Sequence, residues 1–233
     1  MIKYLDGPQY INFSTKHNCF VLTPPKTGSR NLTRILKHLD FHTYGVDGER
    51  FVYLDSQPTH NHTVSFMENH LDHEVMISCR NPYAIYCSMF RLKIVVDGKI
   101  RSTFNLQKEY HEYLLEYLHY DMGDPWRDNS GNHFIEKLLS RKIDHRIKLE
   151  NFSESVLNVP FIKNLPSEQI QLIRDLSLEK FGDYSEMKVF NFAKKYFPSD
   201  FRLYYNQEIA DLVYENFKGK FAIMGYDKDS WKL

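Results

Sequence analysis

This chain of 233 residues has few cysteines, no long apolar run and no net charge. It has only 3 cysteines, an odd number, so we predict buried, reduced thiols rather than a disulfide framework. No apolar run approaches the roughly 18 residues of a membrane span, and the first ten residues lack the apolar core of a secretory signal. These absences argue against a disulfide-stapled secreted scaffold and a membrane protein, and we expect a soluble, cytoplasmic protein.

The formal net charge is zero, because 30 Lys and Arg residues balance 30 Asp and Glu residues. This balance predicts neither a nucleic-acid partner nor an anionic membrane partner. However, residues 7–39 and residues 75–96 contain no Asp or Glu. Their eight cations are Lys16, Lys26, Arg30, Arg34, Lys37, Arg80, Arg91 and Lys93. We therefore predict a shared anion site in an otherwise acidic chain.

Short apolar runs alternate with segments of helical spacing along the chain. Residues 19–23 and 74–79 are typical of buried strands, and each is followed by apolar residues spaced as on one helix face. Asn81 fits the N-cap of the second helix and Pro82 its first position. The remaining predictions are helices near 104–120, 133–141, 167–176 and 207–217, and a strand at 146–149. Together they predict a single α/β domain over residues 1–233, with a central, mainly parallel sheet flanked by helices.

Residues 24–31, with the sequence PPKTGSRN, join the first predicted strand to its helix. Gly28 permits a left-handed backbone, so the amides of residues 27–31 can converge on an anion at the positive helix end. Lys26 supplies a charge, while Thr27, Ser29 and Asn31 supply side-chain donors. The segment is not a Walker A loop, because its lysine precedes its only glycine. We predict a phosphate or sulfate cradle here.

A second motif, RNPYAIYCS, covers residues 80–88. Arg80 follows the strand 74–79, and Ser88 lies two helical turns into the next helix. An arginine at a strand end is suited to a bidentate grip on phosphate, and a helical serine adds one hydrogen bond. The two motifs together predict a ligand with two separated anionic groups.

These two segments resemble the 5′-phosphosulfate loop and the 3′-phosphate motif of sulfotransferases that use 3′-phosphoadenosine 5′-phosphosulfate (PAPS). Residues 147–152 and 204–226 are similar to later segments of that family. Arg30-Asn31, where cytosolic members often have Thr-Trp, and the lack of a late R-K-G segment favour the carbohydrate branch. The resemblance implies a P-loop-like, three-layer fold. It also implies transfer of a sulfuryl group to a hydroxyl or amine, for which we expect a carbohydrate hydroxyl, with the nucleotide PAP as product and no metal.

By the same resemblance, Lys26 contacts the phosphosulfate and stabilises charge on the bridging oxygen. Residues Thr27, Gly28, Ser29, Arg30 and Asn31 line the 5′ site, and Arg80 and Ser88 bind the 3′-phosphate. The segment THNHT at 59–63 resembles the His-x-His segment of uronyl 2-O-sulfotransferases, which implies that His62 is the base and His60 a substrate or orienting contact. Histidine suits that work because its pKa lies near neutrality.

Two other interpretations use the same residues. The first is a non-catalytic nucleotide-binding protein that keeps the anion cradle but lacks turnover. In the second, His60 and His62 combine with His70 and His73 as ligands of a zinc ion, since both pairs have plausible ligand spacing. Neither the acceptor nor the oligomeric state is encoded in a pattern that the sequence reveals.

Overall fold

The computed structural model describes residues 10–14, 16–24, 26–44, 71–97, 104–119, 139–179 and 197–233. The chain divides into two compact units. The first comprises Met1–Arg80 and Glu136–Phe181, and the second comprises Asn81–Ile135 and Gly182–Leu233. The prediction of one domain over the whole chain stays a prediction.

The first unit contains a five-stranded sheet in the order β3-β1-β2-β4-β5. The strands are β1 Tyr10–Ser14, β2 Cys19–Thr23, β3 His42–Tyr44, β4 Glu74–Cys79 and β5 His145–Lys148. Strands β2, β4 and β5 are parallel, while β1 is antiparallel to both of its neighbours. Four of these five strands therefore run in the same direction. The predicted α/β class is confirmed, with a mixed sheet, and strands β1 and β3 were not predicted.

The described helices confirm most of the predicted ones and add three short ones. They are α1 Ser29–Lys37, α2 Pro82–Asp97, α3 Leu106–His119, α4 Phe152–Leu157, α5 Pro160–Lys163, α6 Ser167–Leu178, α7 Gln207–Asn216 and α8 Lys218–Met224. Short 3-10 turns occupy Leu149–Asn151 and Phe201–Tyr204. The helix predicted near 133–141 falls mostly outside the described residues. Across the described ranges, no helix combines the length and the apolar character needed to cross a membrane.

One side of the sheet in the first unit is covered by α1 and by the helices that follow β5. The apolar face of α1 is the predicted one, because Leu32, Ile35, Leu36 and Leu39 are all buried. They pack in one cluster with side chains of β2, β4 and β5. All five residues of β2 are buried as well, which fixes the strand that leads into the candidate cradle.

The second unit is built around buried aromatic side chains. Helix α2 begins as predicted, with Pro82 in its first position and the side-chain oxygen of Asn81 accepting a 3.1 Å hydrogen bond from the Tyr83 amide. The aromatic stripe of α3 is core, also as predicted, since Tyr110, Tyr113 and Tyr117 are buried. All three cysteines, each within the described ranges, are buried thiols.

Candidate functional site

The turn between β2 and α1 has an unusual backbone. Lys26 has φ = 65° and Gly28 has φ = 82°, so the chain is left-handed at two positions within three residues. Helix α1 begins directly after Gly28, whose carbonyl accepts a 3.1 Å hydrogen bond from the Leu32 amide. The turn therefore places the backbone of residues 26–28 at the N-terminus of a helix of nine residues.

Lys26 is the exceptional residue in this turn. Among the described residues, three that are not glycine have positive φ: Asn18, Lys26 and Asp40. Asparagine and aspartate adopt the left-handed region comparatively easily, whereas lysine pays about 1–2 kcal/mol for it. Backbone strain of this kind is concentrated at functional sites, where the surrounding structure maintains it. The conformation of Lys26 is thus an independent reason to place a function in this turn.

Thr27 holds the turn against the neighbouring strand. Its side chain is fully buried, and its hydroxyl donates a 2.6 Å hydrogen bond to the carbonyl of Pro24. The same hydroxyl lies 2.6 Å from the hydroxyl of Ser78, which is also fully buried in β4. The Thr27 hydroxyl therefore shapes the turn. Ser78 is a site residue that sequence reasoning missed, because nothing in an apolar run of six residues marks one serine as facing the turn.

A hydrogen bond from Arg80 connects the second motif to the first. Strands β2 and β4 are adjacent and parallel, with Leu22 opposite Ile77, so their carboxyl ends meet at one edge of the sheet. The guanidinium of Arg80, which follows β4, donates a 3.3 Å hydrogen bond to the carbonyl oxygen of Lys26. Residues separated by more than fifty positions in the sequence are therefore in contact, and both carry positive charge.

The electrostatics of the N-terminus of α1 favour an anion. Gly28 contributes no side-chain cap, and the first turn of the helix contains no acidic residue. The first amides of a helix lack carbonyl partners within it, and the helix dipole adds positive potential there. Ser29 is half-buried at this end. The backbone of residues 28–31 therefore has the character expected of a phosphate or sulfate cradle.

Two other predicted cradle residues, Asn31 and Arg30, give less direct evidence for an anion site. The side-chain amide of Asn31 donates a 3.3 Å hydrogen bond to the carbonyl of Glu179, beyond the end of α6. Arg34, one turn further along α1, forms an ion pair with the carboxylate of Glu179. The side chain of Asn31 is thus bound near the end of α6, and only the backbone of Asn31 belongs to the turn. Arg30 belongs to α1, but its side chain is outside the described part of the chain.

The remaining predicted residues lie elsewhere or outside the description. Ser88 is half-buried on α2, in the second unit. His60, His62 and His70 fall outside the described residues, so their proposed roles stay predictions. His73 is described, and its Nδ1 lies 3.0 Å from the Asp72 carboxylate.

Cys79 ends β4, and two cations of β5, Arg146 and Lys148, act on its thiol. Burial raises the pKa of the Cys79 thiol to about 12, although the charges of Arg146 and Lys148 act in the opposite direction. Cys79 is therefore a protonated thiol near neutral pH, and it is a packing residue rather than a nucleophile.

Comparison with protein-family models, with curated proteins and with solved structures found no match to this chain.

We expect replacement of Gly28 by alanine to destabilise the protein by about 1–3 kcal/mol, because alanine is strained at positive φ. The added Cβ would also lie 2.7 Å from Cδ1 of Leu149, which follows β5. Urea unfolding of Gly28→Ala, Leu149→Ala and the double variant separates the two causes. The double variant removes the steric contact and retains the backbone cost. A Gly28→Ala protein as stable as the wild type would contradict the described turn.

Proposed function

We propose that this chain is a PAPS-dependent sulfotransferase that transfers a sulfuryl group to a hydroxyl of a carbohydrate acceptor. The observation that carries the proposal is the contact between the two motifs, the 3.3 Å hydrogen bond from Arg80 to the carbonyl of Lys26. A donor with two anionic groups needs two positive subsites that are close together. The strand ends of β2 and β4 supply them side by side.

The proposed fold is the P-loop-like, three-layer arrangement. Its support is the parallel pairing of β2, β4 and β5, together with a β2–turn–α1 unit that begins the helix directly after Gly28. In open sheets of this kind, ligands bind beyond the carboxyl ends of the strands. The cradle and Arg80 both lie at that edge.

The proposed reaction is an in-line displacement at sulfur. The acceptor oxygen forms a bond to sulfur while the bond from sulfur to the bridging oxygen breaks, and PAP leaves with that bond's electron pair. Lys26 and the backbone amides of the cradle stabilise the negative charge that develops on the leaving oxygen, because fixed donors aimed at a transition-state charge lower the barrier. His62 accepts the acceptor's proton, and His60 orients the acceptor.

The donor site is proposed to divide along the same edge. The turn of residues 26–31 holds the 5′-phosphosulfate, and Arg80 holds the 3′-phosphate, where its planar guanidinium can make two hydrogen bonds. Ser88 is the further 3′-phosphate contact that the sequence motif implies. Sulfuryl transfer of this kind requires no metal, so EDTA should leave it unchanged.

The proposal is tested by transfer from labelled PAPS in the presence of EDTA. The purified protein is incubated with a panel of neutral and acidic glycans and simple phenols, and both labelled products and PAP are quantified. We expect PAP and sulfated glycan in equal amounts. Lys37→Ala, an exposed substitution at the opposite end of α1, is the matched control and should retain full activity.

Two results would decide against this function in different ways. Tight PAP binding without transfer to any acceptor, and without any effect of His62→Ala, would favour the non-catalytic nucleotide-binding protein. A strict requirement for Mg²⁺ would instead indicate phosphoryl transfer, in which metal ions commonly neutralise the charge of the transferred group.

A further inference from the structure

The carboxyl end of β5 adds a third cation to the edge that carries the cradle. Strand β5 is parallel to β4, and Lys148, its last residue, is paired in register with Cys79. Arg80 follows Cys79 directly in the sequence. The ends of three adjacent parallel strands thus carry Lys26, Arg80 and Lys148 in that spatial order.

Two observations place the end of β5 close to the cradle. Leu149, the residue after Lys148, approaches Gly28 so closely that a Cβ on the glycine would lie 2.7 Å from Leu149 Cδ1. The charges of Arg146 and Lys148 also act on the thiol of Cys79, where both lower the pKa against the effects of burial and of Glu150. The positive charge therefore reaches the end of β4, where the chain continues into Arg80.

The environment of Lys148 differs from that of its neighbours on the strand. Lys148 is half-buried, whereas Arg146, two residues earlier, is exposed to solvent. Glu150, two residues later, is an exposed acid whose charge is more strongly screened. A half-buried lysine near a strand end has a larger effect on a bound anion than an exposed one.

We propose that Lys148 is a donor-binding residue that contacts the 3′-phosphate together with Arg80, and so makes the site selective for 3′-phosphorylated nucleotides. The assignment rests on the proposed function. It follows from the order of the strands: the 5′ group lies at the turn after β2, Arg80 follows β4, and Lys148 lies on the far side of Arg80. Strands are about 4.8 Å apart, so Arg80 and Lys148 can share one phosphate.

The test is calorimetric titration of PAP and of AMP, which lacks the 3′-phosphate, into wild type, Lys148→Ala, Lys148→Arg and Arg146→Ala. We expect Lys148→Ala to weaken PAP binding about tenfold, the size of one hydrogen bond to a charged group, and to leave AMP binding within about twofold. Lys148→Arg should restore most of the affinity for PAP. Arg146→Ala, two residues before the end of the same strand, should weaken PAP binding less than Lys148→Ala does.

Inorganic pyrophosphate, titrated into the same proteins, separates the failure of this inference from that of the proposed function. Wild-type PAP binding that Lys148→Ala leaves unchanged would overturn the role of Lys148 alone. If the wild type does not bind PAP but binds pyrophosphate, and Lys148→Ala weakens that binding, the proposed donor is wrong and an anion site at β5 remains. A wild type that binds neither compound would overturn both.

Discussion

Replacement of Lys26 by glycine is expected to give a protein that is more stable than the alanine variant and that nevertheless loses most of its sulfuryl-transfer activity. Both variants lose the ammonium group, but only alanine has to maintain the left-handed backbone of position 26, where φ is 65°. Relief of that strain should favour Lys26→Gly over Lys26→Ala by about 1 kcal/mol in the free energy of unfolding. Urea unfolding of the two variants measures this difference.

The loss of activity should be large in both Lys26 variants. Removal of one preorganised charge from the position of the leaving oxygen costs about 10²–10³-fold in kcat. Single-turnover transfer from labelled PAPS measures that step, with Lys37→Ala as the matched control. Two outcomes would contradict the assigned role: a Lys26→Gly protein that retains its activity, or one that is less stable than Lys26→Ala.

Replacement of His62 by alanine is expected to lower turnover about 10²–10⁴-fold while PAP binding stays intact. A general base contributes about 10²–10⁴-fold to rate, and histidine is effective near neutral pH because its pKa lies there. The separation of effects follows from the proposed roles, since the donor is held by the cradle and Arg80, and His62 acts on the acceptor. Calorimetry with PAP and steady-state transfer assays measure the two quantities.

The pH profile distinguishes a base from a residue that only supports the structure. In the wild type, activity should fall at acidic pH, since a protonated imidazole cannot accept a proton. The low activity of His62→Ala should not show that fall. His60→Ala is the comparison variant, and it should raise KM for the acceptor more than it lowers kcat. A His62→Ala protein that keeps the wild-type rate would remove the base from the mechanism.

Sequence reasoning located the parts of the fold whose pattern is local. Strand β2, its turn and the buried face of α1 could be predicted because apolar run, glycine and helical spacing follow one another within twenty residues. The N-cap of α2 was predictable for the same reason, as Asn81 acts within its own turn. Strand β1 was missed because its buried positions include the polar residues Asn12 and Ser14, which do not form an apolar run.

The parts of the site that depend on neighbours across the sheet were not predictable. Ser78 and Lys148 look like ordinary residues of two short strands, and only the order of β2, β4 and β5 brings them to the cradle. The strain at Lys26 is likewise invisible in sequence, because lysine is not a residue that favours positive φ. For Thr27, by contrast, the residue type predicted a side-chain hydrogen bond to a ligand. In the structure its hydroxyl donates to the carbonyl of Pro24 and lies next to the hydroxyl of Ser78.

The central claim is that the edge formed by β2 and β4 binds a nucleotide with anionic groups at both the 5′ and 3′ positions. Its most direct test is the affinity ratio between PAP and AMP, measured by calorimetry in EDTA for the wild type and Arg80→Ala. We expect the wild type to bind PAP at least about tenfold more tightly than AMP, and Arg80→Ala to remove most of this preference. Equal affinities for PAP and AMP in the wild type, or a preference that survives Arg80→Ala, would contradict it.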